Sequence, residues 1–183
     1  MAKEGGKMKV IAIIVQSVNG RITKGSDPNV YKWTSQEDKL HLKETIGKAS
    51  LIVMGSTTYE EAKRNITLLP QIQRIVLTSR PQDYAQEAVP GQLEFYSMAP
   101  QDVVKKYGEM GHKELLLLGG SKIYSEFLKQ GLINEIWLTV EPVIFGQGKP
   151  LIDTDRNVSM KLLSLEKLND KGTLLLKYQL FFS

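Results

Sequence analysis

The chain of 183 residues contains no cysteine and only two histidines, His41 and His112, which are far apart in the sequence. Disulfide scaffolds, thiol catalysis and cysteine-based metal sites are therefore excluded, and neither a histidine-rich metal centre nor a Ser-His-Asp triad is expected. Both histidines are expected at the surface. No apolar run approaches the roughly 20 residues that a membrane helix needs, and VIAIIV is too short for the core of a signal peptide. We therefore predict a cytoplasmic protein that binds no metal and no membrane.

Long runs of lysine or arginine are also missing, although the formal net charge is +4. Such runs are typical of arms that bind nucleic acid, so no nucleic-acid partner is expected, whereas a phosphate-bearing ligand is compatible with a mildly basic chain. The content of 42% hydrophobic and 24% charged residues is ordinary for one compact domain. We predict a single domain over residues 1–183, with residues 1–8 flexible.

Apolar runs of strand length alternate with segments of helical periodicity along the chain. Strands are predicted over 10–18, 50–55, 72–79, 93–97, 113–120 and 134–144, and helices over 35–47, 57–64, 101–110 and 121–130. The C-terminal segment is predicted to form two long strands joined by the turn NDKG. This alternation predicts an α/β fold, in which a mostly parallel mixed sheet has helices on both faces and an antiparallel C-terminal hairpin.

Glycines follow two of the predicted strands. Gly55 and the pair Gly119 and Gly120 each separate a buried strand from a helix. Because ligands of parallel sheets bind beyond the carboxyl ends of the strands, these glycines would let a diphosphate approach the free N–H groups of a helix start. A tight turn explains the same residues equally well. No GxGxxG sequence follows the first strand, so a standard Rossmann enzyme is not favoured.

Hydroxyl side chains accumulate at the same edge of the predicted sheet. They are Ser56, Thr57 and Thr58 after the second strand, and Thr78 and Ser79, followed by Arg80, after the third. Each of the three hydroxyls after the second strand, taken alone, is better explained as a helix N-cap. Two hydroxyls beside an arginine, however, suit a phosphomonoester such as the 2′-phosphate of NADP. Three loops of this kind at one sheet edge favour a dinucleotide ligand.

The segments VMGSTTYEEA, LLGGSKIY and IWLTVEP resemble the three signature segments of dihydrofolate reductases in order and spacing. SVNGRI, WTSQED and GLINEIWLTVEPVIFGQGKPLI are similar to the reductase domain of riboflavin synthesis, a sister family with the same fold. The resemblance covers nearly the whole chain. It implies an NADPH-dependent oxidoreductase with a dihydrofolate-reductase-like sheet.

The resemblance also implies the catalytic residues. Asp38 matches the single active-site acid at the start of the first helix. Trp33 matches a tryptophan five residues earlier that holds an ordered water, and Thr139 matches the threonine that hydrogen-bonds the acid. Tyr124 belongs to the segment that matches the nicotinamide contact and is counted with the catalytic group.

Two further sets of contacts are implied by the same resemblance. The cofactor contacts are Ala12, Gly20, Gly55, Ser56, Thr57, Thr58, Thr78, Ser79, Arg80, Gly119, Gly120, Ser121, Lys122 and Ile123. The substrate contacts are Ile11, Lys39, Leu42, Lys43, Ile72 and Arg74, and Ala12 is expected to line the substrate site as well.

The chain departs from the folate enzymes at two positions. Ser56 replaces an arginine, so Arg80 is left as the cationic contact for a 2′-phosphate. Ile72 replaces the arginine that grips the carboxylate of the folate tail, and an isoleucine makes no ion pair. Arg74, Lys39 and Lys43 are the cations that would take over this contact.

The adjacent acids Glu37 and Asp38 raise the question of which one caps the first helix. Thr34 with Glu37 forms a capping-box pattern, and so does Ser35 with Asp38, so helix physics leaves both alternatives open. The resemblance favours Asp38 as the buried acid, with Leu42 one turn later on the same helix face. Such a carboxyl would bind the N–H edge of a pterin or aminopyrimidine and favour its protonated form.

Three functions are compatible with these features. The leading hypothesis is a reductase of dihydrofolate or a close dihydropterin analogue, in one-carbon metabolism. The alternative is the 5-amino-6-(5-phosphoribosylamino)uracil reductase of riboflavin biosynthesis, whose substrate phosphate would meet Arg21 and Lys24 or Lys39 and Lys43. A non-catalytic nucleotide-binding module is the hypothesis of another class. The apolar segment LLLKYQLFF is either a buried edge or a dimer surface, and a homodimer is expected from the family analogy.

Overall fold

The computed structural model describes residues 8–182, in which eight strands form one sheet. The strands are β1 (Lys9–Ser17), β2 (Leu51–Gly55), β3 (Gln73–Leu77), β4 (Leu93–Tyr96), β5 (Glu114–Leu117), β6 (Glu135–Glu141), β7 (Val158–Lys167) and β8 (Leu174–Phe182). The helices are α1 (Gln36–Gly47), α2 (Ser56–Ala62), α3 (Pro100–Glu109) and α4 (Ser121–Lys129). Every predicted strand and helix is present, with bounds that differ by a few residues.

The strand order is β4-β3-β2-β5-β1-β6-β8-β7. Neighbouring strands are parallel from β4 through to β6, and β8 pairs antiparallel with both β6 and β7. The predicted mixed sheet with an antiparallel C-terminal hairpin is therefore confirmed. The carboxyl ends of β1, β2, β3, β5 and β6 meet at one edge, which gathers the loops that follow them.

Each face of the sheet has its own hydrophobic core. Alternate residues of β1 divide between the two cores, because successive side chains of a strand point to opposite faces. Val10 and Ala12 pack with Phe127 of α4 in one core, whereas Ile11 packs with Tyr59 of α2 in the other. The strand β2 is buried along its whole length, as expected for a strand covered on both sides.

The N-terminal segment that the sequence predicts to be flexible lies outside the described residues, except for Met8. This side chain is only 3% exposed and belongs to the core beneath α3 and α4, so the prediction is wrong for Met8. None of the helices within residues 8–182 is long and apolar enough to cross a membrane.

The outer edge of the sheet is much less covered than its centre. Nine of the ten residues of β7 are exposed, including Met160, Leu162 and Leu165. Their register partners on β8 are Leu180, Tyr178 and Leu176, so these apolar side chains share one face of the hairpin. The layer formed by α3 and α4 ends before it reaches this outermost strand.

Candidate active site

The start of α1 answers the question of the two adjacent acids. Ser35 is the N-cap residue, and its hydroxyl accepts a hydrogen bond from the backbone N–H of Asp38 at 3.2 Å. The alternative frame, with Thr34 as the cap, is wrong, because the backbone amide of Thr34 already continues the preceding turn by donating to Val30. Glu37 does not cap either, since its carboxylate accepts a hydrogen bond from Asn169 at 3.1 Å.

Asp38 is a buried acid on the side of the sheet that α1 covers. Asp38 is 6% exposed, and Thr139 of β6, itself 2% exposed, lies close enough to influence its protonation. Burial raises the pKa of Asp38 to about 6, the hydroxyl of Thr139 opposes the rise, the carboxylate of Glu141 adds to it and Lys39 opposes it. A carboxyl in this state exchanges a proton close to neutral pH, as a general acid or base requires.

A second buried acid, Glu141, lies beside this pair. It is the last residue of β6 and is 3% exposed. One carboxylate oxygen accepts hydrogen bonds from both the backbone N–H and the hydroxyl of Ser35, each at 2.7 Å. The other oxygen accepts a bond from the hydroxyl of Thr173, also at 2.7 Å. Nothing in the sequence pattern pointed to this residue, because its partners are distant along the chain.

Trp33 lies at the entrance to the helix that carries Asp38. The half-buried indole packs edge-on against Phe145, with ring centroids 5.0 Å apart. Its N–H is buried and has no acceptor among the described residues. A cavity of about 340 Å³ lies against Trp33 and is otherwise lined by Lys24, Asp27, Asn29 and Lys32. The Trp33 side chain therefore borders an open space.

The glycine loops after β2 and β5 lie side by side. The backbone N–H of Gly55 donates to the carbonyl of Gly119 at 2.8 Å, and the Gly119–Gly120 peptide bond is cis. A Cβ at Gly55 would lie 2.9 Å from the Ile123 side chain, and one at Gly119, where φ is +83°, would lie 2.5 Å from the Tyr124 ring. Both positions thus require glycine for packing reasons alone.

The two helices that begin at these loops have no side-chain cap. Gly55 is the N-cap of α2 and Gly120 is the N-cap of α4, and neither helix start receives a hydrogen bond from its cap residue's side chain. The first N–H groups of the helices are consequently available to an anion. This arrangement fits the diphosphate of a dinucleotide, as the sequence analysis predicts.

The sequence profile of the RibD C-terminal domain family matches residues 8–174. The chain belongs to the RibD C-terminal domain family. It is 25% identical to the uncharacterized protein YwjB of Bacillus subtilis strain 168 over 169 residues, which cover 90% of each chain. Identity to the uncharacterized protein YyaP of the same strain is 34% over 62 residues, a stretch that spans only 33% of each chain.

Solved structures share this fold of the RibD C-terminal domain family. A pyrimidine reductase-like protein of Corynebacterium diphtheriae superposes with a TM-score of 0.75 at 16% identity, covering 100% of this chain and 96% of that one. The bifunctional deaminase and 5-amino-6-(5-phosphoribosylamino)uracil reductase of Thermotoga maritima gives 0.72 at 18% identity, covering 94% of this chain and 56% of that one. Dihydrofolate reductase of Enterococcus faecalis, complexed with NADP(H), gives 0.64 at 20% identity, covering 95% and 97%. These likenesses confirm the predicted dihydrofolate-reductase-like fold.

The predicted adenosine contacts of this RibD-type domain lie on the loops after β2 and β3. Thr57, Ser79 and Arg80 are exposed, while Ser56, Thr58 and Thr78 are half-buried. The hydroxyl of Thr78 accepts a bond from the backbone N–H of Arg80 at 3.2 Å, and the Arg80 side chain, 75% exposed, lies 3.5 Å from Asp83. The set is reachable from solvent at the edge where β2 and β3 end.

The predicted contacts on α4 divide into open and enclosed residues. Lys122 is exposed, and the hydroxyl of half-buried Ser121 donates to the carbonyl of Pro150 at 2.9 Å. Ile123 is buried against Gly55. Tyr124 is 4% exposed, and its hydroxyl donates to the carbonyl of Ile13 at 2.5 Å, while burial raises the pKa of this phenol. Its hydroxyl is thus engaged with β1.

Several predicted substrate contacts lie apart from the Asp38–Thr139 pair. Val15 is the β1 residue in register with Thr139, and Ile11 precedes it by four residues, about 13 Å of strand. Ala12 faces the opposite core. At the start of β3, Ile72 is completely buried and Arg74 is 4% exposed. By contrast, Lys39 and Leu42 are half-buried on α1, Lys43 is exposed there, and Gly20 (φ +75°) turns the loop after β1.

Both histidines lie away from this edge. They are half-buried rather than at the open surface, which corrects the prediction, and they line a cavity of about 730 Å³ together with Trp137 and Lys177. Burial lowers the pKa of both imidazoles, and Lys177 adds to the effect for His41. This cavity is at the amino ends of β2 and β5, opposite the glycine loops. Within residues 8–182, no cluster of three or more histidine or acidic side chains could hold a metal ion.

Proposed function

We propose that this member of the RibD C-terminal domain family is an NADPH-dependent reductase of riboflavin biosynthesis that acts on a phosphoribosylaminopyrimidine. The observation that carries the proposal is the buried Asp38–Thr139 pair, with the Asp38 pKa near 6, at the sheet edge that also holds the glycine loops. An acid tuned towards neutrality beside a dinucleotide-binding edge suits hydride transfer to a C=N group that must accept a proton.

The buried residues of β3 favour the pyrimidine over dihydrofolate. A folate substrate carries a carboxylate tail that needs a reachable cation. Ile72 has no charge and no exposure, and the guanidinium of Arg74 is enclosed, with one of its terminal nitrogens lacking any partner among the described residues. Lys39 and Lys43 on α1 are still reachable, so the enclosure of Arg74 removes only one candidate cation for a folate tail. Because the chain also belongs to the RibD C-terminal domain family, we rank reduction of 5-amino-6-(5-phosphoribosylamino)uracil above reduction of dihydrofolate, which reverses the order that the sequence alone suggests.

The residues of the site would divide the work as follows. NADPH, when bound, supplies the hydride that converts the ring-opened ribosylamino group into a ribitylamino chain. The loops at Gly55 and Gly119–Gly120 hold the diphosphate through backbone N–H groups, and Ser79 with Arg80 receives the 2′-phosphate. Tyr124 acts by positioning the Gly119 loop against β1 rather than by touching the reacting atoms.

Asp38 would bind the N–H edge of the pyrimidine and hold a proton for the nitrogen of the C=N group. Thr139 would donate a hydrogen bond that keeps the carboxyl in place, and the Trp33 side chain would line the substrate end of the site. Lys24 lines the cavity beside Trp33 and Lys39 follows Asp38 on α1. We propose that they contact the substrate phosphate, with Arg21 as a further candidate.

We also propose that the protein forms a homodimer through the uncovered face of the terminal hairpin. Met160, Leu162 and Leu165 are each about half exposed (53%, 47% and 57%) on one face of an edge strand, and single copies rarely leave such a patch uncovered. A second copy would cover it. Sedimentation of Leu162→Lys beside Ser164→Lys, which places the same charge on the other face of β7, tests this surface. A wild type that sediments as a monomer would overturn it.

The activity is tested by following NADPH oxidation with the phosphoribosylaminopyrimidine and, separately, with dihydrofolate. We expect turnover of the pyrimidine only, and loss of that turnover in Asp38→Asn. Turnover of dihydrofolate alone would restore the folate alternative. NADPH binding without turnover of either substrate, unchanged in Asp38→Asn, would instead support the non-catalytic module.

A further inference from the structure

The carboxylate of Glu141 is enclosed by hydrogen-bond donors from two other parts of the chain. Ser35 at the start of α1 supplies a backbone N–H and a hydroxyl, and Thr173 at the start of the last strand supplies a second hydroxyl. Thr173 is 1% exposed. A buried carboxylate held by three donors at 2.7 Å fixes the distance between β6 and the first turn of α1.

This contact replaces one that Asp38 would otherwise make. In a capping box, the acid three residues after the N-cap reaches back to the N-cap backbone N–H. Asp38 is three residues after Ser35, but Glu141 already occupies the N–H of Ser35. The Asp38 carboxyl is consequently released from capping, and the nearby Thr139 hydroxyl lowers its pKa.

We propose that Glu141 is a positioning residue that takes over the capping of α1 and thereby keeps the Asp38 carboxyl directed at Thr139 and the substrate. The proposal deepens the proposed reductase function and rests on it. Glu141 of β6 accepts the hydrogen bond from the Ser35 backbone N–H that the acid within the helix would otherwise accept. The Asp38 carboxyl is therefore free for chemistry.

The same network extends to the turn of the terminal hairpin. The hydroxyl of Thr173 accepts a bond from Asn169 at 2.9 Å, and the same amide group of Asn169 donates to Glu37 at 3.1 Å. Both adjacent acids of α1 are thus accounted for, because Glu37 binds the hairpin turn while Asp38 remains in the site. The hairpin therefore helps to fix the first turn of α1.

Charge provides a second, measurable consequence. Two charged groups act on Asp38, Glu141 from β6 and Lys39 from its own helix, and Asp38 in turn acts on Tyr31 in the turn before α1. The carboxylate of Glu141 raises the pKa of Asp38 and Lys39 lowers it, while burial and then the Asp38 charge raise the pKa of Tyr31. Removing the Glu141 charge should therefore make Asp38 a stronger acid.

The test compares Glu141→Gln and Glu141→Ala with Glu135→Gln and Glu135→Ala. Glu135 is a matched control, since it is a partly buried acid on the same strand that pairs with Lys9 at the far end of β6. Each protein is titrated by NMR of the Asp38 carboxyl carbon, and kcat and KM for the pyrimidine are measured across pH. Hydrogen exchange of the Ser35 amide reports whether the cap persists.

In Glu141→Gln, which keeps the shape of the side chain, we expect the Asp38 titration and the alkaline limb of the kcat profile to move down by roughly half a pH unit or more. In Glu141→Ala we expect faster exchange of the Ser35 amide and a loss in kcat of roughly tenfold to a hundredfold, with a smaller change in KM. The Glu135 variants should show none of these changes. If Glu141→Ala does not fold, the Gln variant decides alone.

An Asp38 titration that is the same in Glu141→Gln as in the wild type would overturn the proposal. So would equal effects of the Glu141 and Glu135 variants. The NMR titration needs no substrate, which separates the two claims. A shifted titration in a protein that turns over no substrate would support the role of Glu141 and remove the reductase function. If the Glu141 variants turned over the pyrimidine with an unchanged Asp38 titration and an unchanged kcat, the reductase function would stand and the role of Glu141 would be refuted.

Discussion

The two halves of the candidate site are constructed in different ways. The proposed cofactor side consists of backbone, because Gly55, Gly119 and Gly120 lie within two short loops. The acid side consists of side chains from segments far apart in the sequence, since Asp38 depends on Thr139 and Glu141, about a hundred residues away. At the glycines of the backbone site, any added side chain would disturb the site. The acid site instead depends on each of its partner side chains staying in place.

The largest expected effect comes from removing the acid itself. Asp38→Asn keeps the size of the side chain and eliminates the proton that the carboxyl exchanges, so kcat with the pyrimidine should fall roughly 10²–10⁴-fold. NADPH affinity, measured by fluorescence quenching, should remain within about twofold of the wild type, since the cofactor loops are untouched. A variant that retains near-normal kcat would show that Asp38 does not serve the reaction.

The substitution that should disturb the backbone half most is Gly119→Ala. In Gly119→Ala the new Cβ would lie 2.5 Å from the Tyr124 ring at a φ of +83°, so strain and overpacking together should cost about 2–4 kcal/mol of unfolding free energy and weaken NADPH binding. Gly91→Ala is the matched control, because Gly91 has a φ of +75° with nothing within 4 Å of the new atom. Urea unfolding should give it about 1 kcal/mol of destabilisation. Equal losses in the two variants would contradict the packing argument.

The acid half should reduce stability at neutral pH. The pKa of Asp38 is raised from 3.8 to about 6 in the folded protein, so the folded chain binds more protons than the unfolded chain between these pH values. Unfolding free energy should therefore fall as pH rises from about 4 to 6 and remain lower above that range.

Asp38→Asn removes this dependence. The variant should exceed the wild type in unfolding free energy by on the order of 2–3 kcal/mol at neutral pH, with the difference vanishing towards about pH 4. Urea titrations at several pH values check this, with exposed Asp155→Asn as the control. A pH-independent difference would mean that the Asp38 carboxyl is not the titrating group.

The same contrast explains what could be predicted from the sequence. The strands and helices follow from local periodicity, and Gly55 and Gly119 follow from their place between a strand and a helix. Glu141 could not be found in this way, because its hydrogen bonds to Ser35 and Thr173 exist only after β6, α1 and β8 have come together. The choice between Thr34 and Ser35 as the helix cap stays open in the sequence for the same reason, since Glu141 supports the Ser35 frame from outside the helix.

The sequence also left open which of the candidate cations are buried. Arg74 and Lys39 were equivalent candidates for binding an anionic substrate group, because both are cations near recognised segments. In the structure Arg74 is 4% exposed at the start of β3, whereas Lys39 lies half-buried on the helix that carries Asp38. Whether a cation is exposed to substrate depends on where it sits relative to the carboxyl end of the sheet and on the elements packed over it. Both are set by strand pairing and tertiary packing rather than by local sequence.

The smallest expected effect concerns Arg80, which we propose contacts the adenosine end of the cofactor. Its side chain is 75% exposed, so a single charge-assisted contact to a 2′-phosphate is all that it can add. Arg80→Gln should raise KM for NADPH roughly tenfold and leave KM for NADH unchanged. Arg64→Gln, an exposed arginine on the turn after α2, serves as the control. Because Ser56 offers no second cation, equal KM changes for both cofactors would show that the 2′-phosphate is not bound at this loop, and the backbone half would then recognise the diphosphate alone.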